Sequence, residues 1–275
     1  MKATLSIALL LAATQAWCQA PAPQGEIKGQ AIVHTPESAR AAMANGALVL
    51  PAAATGGAVF TGAFKDAPRE TRARVPVVVF LHGSSGLGLK AIGEWQQWLA
   101  TMGIASFAPD SFALPGRVTY TSPVGKDFYE KIHALRGSEI TLAVQALKDA
   151  PWADPRRLVL AGTSEGATAV ARYAGDAFAA RMIFSWSCED NYFVEAHRTA
   201  VRPDQPVLNV ISATDPFFSR SNAWLGQPAA AGHCAAAFKD HPKASIVLIP
   251  GAPHTLLNLP AARQVVAGFL QDALR

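Results

Sequence analysis

Charge is scarce in this chain. Only 16% of its 275 residues are Asp, Glu, Lys or Arg and half are apolar, a balance that excludes bulk disorder and allows one large core. The net charge of +4 is thinly spread. No block of Lys and Arg interleaves with the aromatics that a nucleic-acid face needs, so nucleic acid is not an expected partner. Three cysteines and seven histidines fall in no paired spacing of the zinc kind, so no metal is expected. Long apolar runs are missing as well: the first one, Leu5 to Ala13, is too short for a stable membrane span. No repeat or low-complexity block divides the chain, and nothing in it fixes an oligomeric state.

What is present starts at that first run. Lys2 precedes it and small or polar residues follow from Ala16 to Ala20, the layout of a secretory signal peptide. Trp17 stands where a lipoprotein signal needs a small residue before Cys18, so cleavage is expected between Ala16 and Ala20. The expected organisation is a signal peptide over 1–20 and a single α/β domain over 21–275, exported to a periplasm or secreted, with "PAPQG" as its flexible start. In such an oxidising compartment Cys188 and Cys234 form an even pair and a candidate disulfide, while two separate buried thiols fit the sequence equally well.

Beyond residue 46 the chain alternates. Ala47 to Leu50 and Val59 to Phe64 suggest an antiparallel hairpin at a sheet edge. Six further strand-like runs follow: "VPVVVFLHG", "IASFAPD", "RLVLAGTS", "RMIFSWS", "PVLNVIS" and "ASIVLIPG". Between and after them, Leu89 to Met102, Ser138 to Asp149, Glu165 to Phe178 and Pro260 to Leu274 have helical character, and the segment that follows Asp215 and holds Cys234 is also read as helical. Apolar strands alternating with helices imply a mostly parallel central sheet flanked by helices, with ligands bound at the carboxyl ends of its strands.

The polar residues of interest sit at those ends. Gly162-Thr163-Ser164-Glu165-Gly166 places a hydroxyl between two glycines where a buried strand meets a helix. A serine hydroxyl needs a tight exposed corner and a nearby base to act as a nucleophile, and the glycines let backbone pack close to that corner. Asp215 follows the fifth run and His254 the last, giving the chain order Ser, Asp, His used by α/β-hydrolases. Each residue also has a plainer role open to it. Ser164 can cap a helix, His254 can be a hydrogen-bonded loop histidine, and Asp215 can cap a turn, in which case Glu189 or Asp190 would be the acid. His82, after the first of the six runs, reads as a structural hydrogen bonder rather than a second base.

The stretches "FLHGSSGLG", "EWQQWLATMGIASFAPDSF", "GTSEG", "SATDPF" and "PGAPHTLL" together resemble the dienelactone hydrolase-like branch of the α/β-hydrolase superfamily, over Val75 to Arg275. The resemblance implies a sheet of about eight strands, Ser164 as nucleophile, His254 as base, Asp215 as orienting acid and no cofactor. Dienelactone hydrolases proper use a cysteine nucleophile; Ser164 in its place favours ordinary ester hydrolysis. The oxyanion hole is expected from the backbone amides of Glu165 and Ser84, with Ser85 as the second choice for the latter. The expected partner is a small-molecule ester. An acyltransferase or peptidase on the same fold, or a non-catalytic binding member, are the competing readings. For the substrate walls, the long connection Ser111 to Gly137 can overhang the site, and Trp186, Phe217, Phe218 and Trp224 flank the same face, with core packing as the alternative for Trp186.

Overall fold

The computed structural model describes residues 24–275, so the segment read as a signal peptide, with Cys18, lies outside the described residues. In chain order the elements are β1 (Ile27–Lys28), α1 (Pro36–Ala44), β2 (Ala47–Leu50), α2 (Ala52–Thr55), β3 (Phe60–Ala63), β4 (Val75–Leu81), α3 (Lys90–Thr101) and β5 (Ala105–Ala108). They continue with β6 (Thr119–Tyr120), α4 (Lys126–Lys148), β7 (Ala153–Thr163), α5 (Glu165–Arg172), β8 (Ala180–Phe184), β9 (Val207–Ser212), β10 (Ala244–Ile249) and α6 (Pro260–Ala273).

Eight strands form one sheet in the order β10-β9-β8-β7-β4-β5-β2-β3. The six runs from β4 to β10 pair in parallel, and β2 pairs antiparallel with both β5 and β3, leaving β3 at one edge as the hairpin reading expected. The central strands are apolar along nearly their whole length because both faces are covered. Along β4, Val77, Val79 and Leu81 point into one core with Ile140, Ala143 and Val170 of α4 and α5, whereas Val78 and Phe80 enter the other with Trp95, Leu99 and Val266 of α3 and α6.

Three expectations are corrected. Helix α4 begins at Lys126, twelve residues before the expected start, so the connection over the site ends at Gly125. Gly137 and the buried polar residues His133, Arg136 and Glu139 had hidden its apolar face. Helix α5 stops at Arg172 rather than Phe178. The segment between β9 and β10, expected to carry a helix around Cys234, consists of turns.

Strands β1 and β6, two residues each, had no sequence signal. β1 pairs antiparallel with β6, Ile27 against Tyr120 and Lys28 against Thr119. Gly25 N–H donates to Pro123 O at 2.7 Å, so the start read as flexible is tied to the 116–123 segment from Gly25 onward.

Candidate active site

The elbow at Ser164 is built by backbone crowding. Gly162 and Gly166 approach so closely that a Cβ at either would lie 2.8 Å or less from backbone: Gly166 C for the first, Leu81 O at 2.4 Å for the second. Only glycine fits both positions. Between them Ser164 adopts φ 53°, ψ −119°, a conformation that costs a non-glycine residue free energy and that persists because β7 and α5 fix the chain on either side. Its side chain makes no capping hydrogen bond to α5, so the helix-cap role is not taken. The turn after β4 closes against it, with a Cβ built on Gly83 lying 3.3 Å from the Ser164 Cβ.

Asp215 and His254 meet across the ends of β9 and β10. The His254 Nδ1 lies 2.7 Å from Asp215 Oδ2, and the Asp215 side chain is fully buried while that of His254 is 20% exposed. The other Asp215 oxygen accepts the Phe217 and Phe218 N–H groups at 2.9 and 3.0 Å. Every direction of the carboxylate is thereby set, and with Nδ1–H donating to Asp215 the Nε2 lone pair is left for the cleft. Two hydroxyls at strand ends hold the histidine loop: Ser185 Oγ donates to His254 O at 2.5 Å and Ser212 Oγ to Ala252 O at 2.6 Å. Strand β9, whose end carries Asp215, lies between β8 and β10. Those rivals are engaged elsewhere. Glu189 accepts the amides of Ala231 and Gly232 at 2.7 and 2.8 Å, and Asp190 accepts that of His197.

Ser164 and His254 open into one cleft of about 140 Å³, which Ser84, Ser85, Phe217 and Phe218 also line. Trp186 does not. Only 2% exposed, it packs edge-on against Phe218 at 5.0 Å and forms core behind the cleft, the alternative the sequence had left open. Trp224 also stands outside the lining, against Tyr192 at 4.6 Å. The sequence did not single out Tyr120, Tyr192 and Phe193, which complete the aromatic wall. The apolar-polar-aromatic mixture of "CEDNYF" after β8 was the available signal for Tyr192 and Phe193, while Tyr120 lies in the Ser111 to Gly137 connection expected to overhang the site.

His82 has a structural place. Its Nδ1 donates to Gly83 O at 2.7 Å and its Nε2 accepts the Ser111 N–H at 3.2 Å. Full burial, then the neighbouring Arg136, hold its pKa well below the usual histidine value, so the ring stays neutral. Cys188 and Cys234 are joined in a disulfide, S–S 2.07 Å, linking the loop after β8 to the turns that follow Asp215. Among the described residues no cluster of three or more His, Cys, Asp or Glu is arranged for a metal, and no helix is long and apolar enough to cross a membrane.

The profile of the dienelactone hydrolase family matches residues 63–267. Among solved structures, the chain is similar to the dienelactone hydrolase from Anabaena variabilis at 16% identity and TM-score 0.50, covering 84% of this chain and 92% of that one. It is also similar to TT1662 from Thermus thermophilus, at 18% identity and TM-score 0.51 over 74% of this chain and 90% of that one. The third is esterase PE8, at 14% identity and TM-score 0.50 over 84% and 99% respectively. At these identities the likeness concerns the fold. A comparison with curated proteins finds no match.

Proposed function

The chain belongs to the dienelactone hydrolase family of α/β-hydrolases, and we propose that within it this protein is a serine esterase acting through Ser164, His254 and Asp215. The observation that carries the reading is the 2.7 Å Asp215–His254 bond beside a strained serine elbow, all opening on one cleft. In this mechanism Ser164 Oγ attacks the ester carbonyl as His254 Nε2 takes its proton. The amides of Glu165 and Ser84 hold the oxyanion, and the imidazolium then returns the proton to the departing alcohol. Water, activated by the same imidazole, releases the acid from Ser164. Asp215 holds the tautomer and steadies the imidazolium, and Phe217, edge-on to the ring at 4.7 Å, limits its rotation.

The cleft also bears on the substrate. Its volume is close to that of an engineered apolar cavity of about 150 Å³ that accepts benzene, and Tyr120, Tyr192, Phe193, Phe217 and Phe218 form its walls. No Lys, Arg, Asp or Glu contributes to the lining among the described residues, so a charged acyl group would find no counter-ion there. The reading is therefore a neutral ester whose acyl group is short or the size of one ring. A disulfide suits an oxidising compartment, which supports export after cleavage of the 1–20 segment. Amino-terminal sequencing of protein recovered outside the cytoplasm tests that part, and an uncleaved amino terminus contradicts it.

The experiment for the activity is a p-nitrophenyl ester panel from acetate through benzoate to long chains, with Ser164→Ala alongside. Hydrolysis that favours the short and ring-sized esters and disappears in the variant is expected. Equal rates in variant and parent refute the assignment.

A further inference from the structure

Beneath the elbow lies a set of buried charges for which the hydrolytic mechanism above has no use. The Glu165 carboxylate is fully buried: Arg117 Nη2 donates to one oxygen at 2.6 Å, Tyr120 OH donates to the other at 2.9 Å, and Arg136 Nε stands 3.5 Å from the first. Arg136 also donates to Glu139 at 2.5 Å and to His82 O at 3.0 Å. Arg117 further donates to Ser111 Oγ at 2.7 Å and to Val118 O at 2.8 Å, with its guanidinium over the Phe112 ring. Two arginines thus balance two glutamates out of water. A buried set of this kind contributes little net stability but is intolerant of losing one member.

The partners of Glu165 have a common address. Arg117 and Tyr120 both belong to the segment that runs over the cleft between β5 and α4, and Tyr120 and Ser122 of that segment line the cleft. Glu165 belongs to the elbow, immediately after Ser164. The far side of the segment is held by main-chain bonds to residues 25–31, including the two-residue pairing of β1 with β6 and the Ala31–Arg117 bridge, by Glu26 N–H to Thr121 Oγ1, and by Tyr129 OH, which donates to Ser122 Oγ at 2.9 Å. Burial of the phenol, then the adjacent Glu165 charge, raise the Tyr120 pKa well above its usual value, so the hydroxyl keeps its proton and remains the donor.

We propose that the Glu165 side chain is a positioning residue: it pins the 111–123 segment to the nucleophile elbow through Arg117 and Tyr120 and so sets the gap between the Tyr120 wall and Ser164. The proposal rests on the serine esterase reading for its kinetic consequence, whereas the pinning itself is independent of any activity. Neither partner touches the reacting atoms. Their loss widens or loosens the cleft and acts on which acyl groups fit.

The test uses Glu165→Gln, nearly isosteric but uncharged, and Tyr120→Phe, which deletes one hydroxyl and leaves the charge balance intact. Hydrogen exchange of the full chain is read at residues 116–123 and at β4 and β7, and kcat and KM are measured for p-nitrophenyl acetate, benzoate and octanoate. Both variants are expected to speed exchange at 116–123 with β4 and β7 unchanged. Both should also shift the benzoate-to-octanoate ratio of kcat/KM toward octanoate by about tenfold, mainly through KM, as expected when a wall is displaced rather than a catalytic group lost. Unchanged exchange at 116–123 in Tyr120→Phe overturns the pinning, and faster exchange with an unaltered ester ratio overturns the link to the cleft. A Glu165→Gln chain that does not fold leaves Tyr120→Phe to decide. A parent chain with no Ser164-dependent hydrolysis refutes the esterase reading and with it the kinetic half of the proposal, and the exchange result still decides the pinning.

Discussion

Replacing both Cys188 and Cys234 by alanine removes a covalent link across 46 residues of sequence. In the chain-entropy account, a closed loop of that length restricts the unfolded chain by about 4 kcal/mol at 25 °C. The native state should lose little else. Both cysteines are buried, to 3% and 0% exposure, so alanine avoids placing an unpaired hydroxyl in the core. The neighbouring backbone has its own fastening: Asn209 Nδ2 donates to Ile183 O and Trp186 O at 3.0 Å each, and Asn209 Oδ1 accepts the Cys234 N–H at 3.1 Å. With a urea m-value of about 3 kcal/mol/M for a chain of this size, the loss corresponds to a fall in unfolding midpoint of about 1.3 M. Urea titrations of parent and double variant, followed by tryptophan fluorescence, measure it. Ester hydrolysis in the absence of urea should persist, because Asp215 keeps its amide and imidazole partners without the link. An unchanged midpoint at an unchanged m-value refutes the reasoning.

Asp215→Asn should leave the melting temperature close to the parent's while cutting kcat by up to about 10⁴, because the wrong imidazole tautomer is then favoured. Glu189→Gln and Asp190→Asn should keep most activity, and collapse of either one while Asp215→Asn stays fast would move the acid to the end of β8. Stability should fall as pH drops from about 6.5 to 4, because burial lowers the His133 pKa from 6.5 to about 4. In that window the unfolded histidine binds a proton that the folded one refuses, a loss of about 3 kcal/mol when complete, to which the lowered His82 adds in the same direction. His133→Gln, able to keep the bond to Phe193 O, should flatten the fall in midpoint across that window, and an unaltered slope would contradict this account of it.

Legibility from sequence followed the range of the interactions. The parallel strands and the elbow were readable because their causes are local: unbroken apolar runs require two covered faces, and Gly162 and Gly166 flank one serine at a strand–helix junction. The meeting of Asp215 with His254, the pair proposed as acid and base, was foreshadowed by their places after β9 and β10. The charged set around Glu165 was not, since Arg117, Arg136 and Glu139 have the composition of a solvated surface until a contact 48 residues distant, Arg117 to Glu165, takes them out of water. The same burial of polar groups obscured the first half of α4. β1 and β6 are two residues each, too short for any periodicity, and their pairing spans more than 90 residues. Trp186 was ambiguous because an aromatic beside a cleft and an aromatic behind it share one sequence pattern.

The central claim is that Ser164 is the nucleophile. Reaction of the protein with an alkyl fluorophosphonate, a carbonyl mimic that phosphonylates an activated serine and is displaced only slowly by water, followed by peptide mapping in a mass spectrometer, addresses it without any choice of substrate. The account predicts a single adduct on the peptide containing Gly162 to Gly166, located on Ser164, and no labelling after Ser164→Ala or after denaturation in urea. An adduct on any other residue, or an intact protein that takes no label under conditions where it hydrolyses esters, would contradict it.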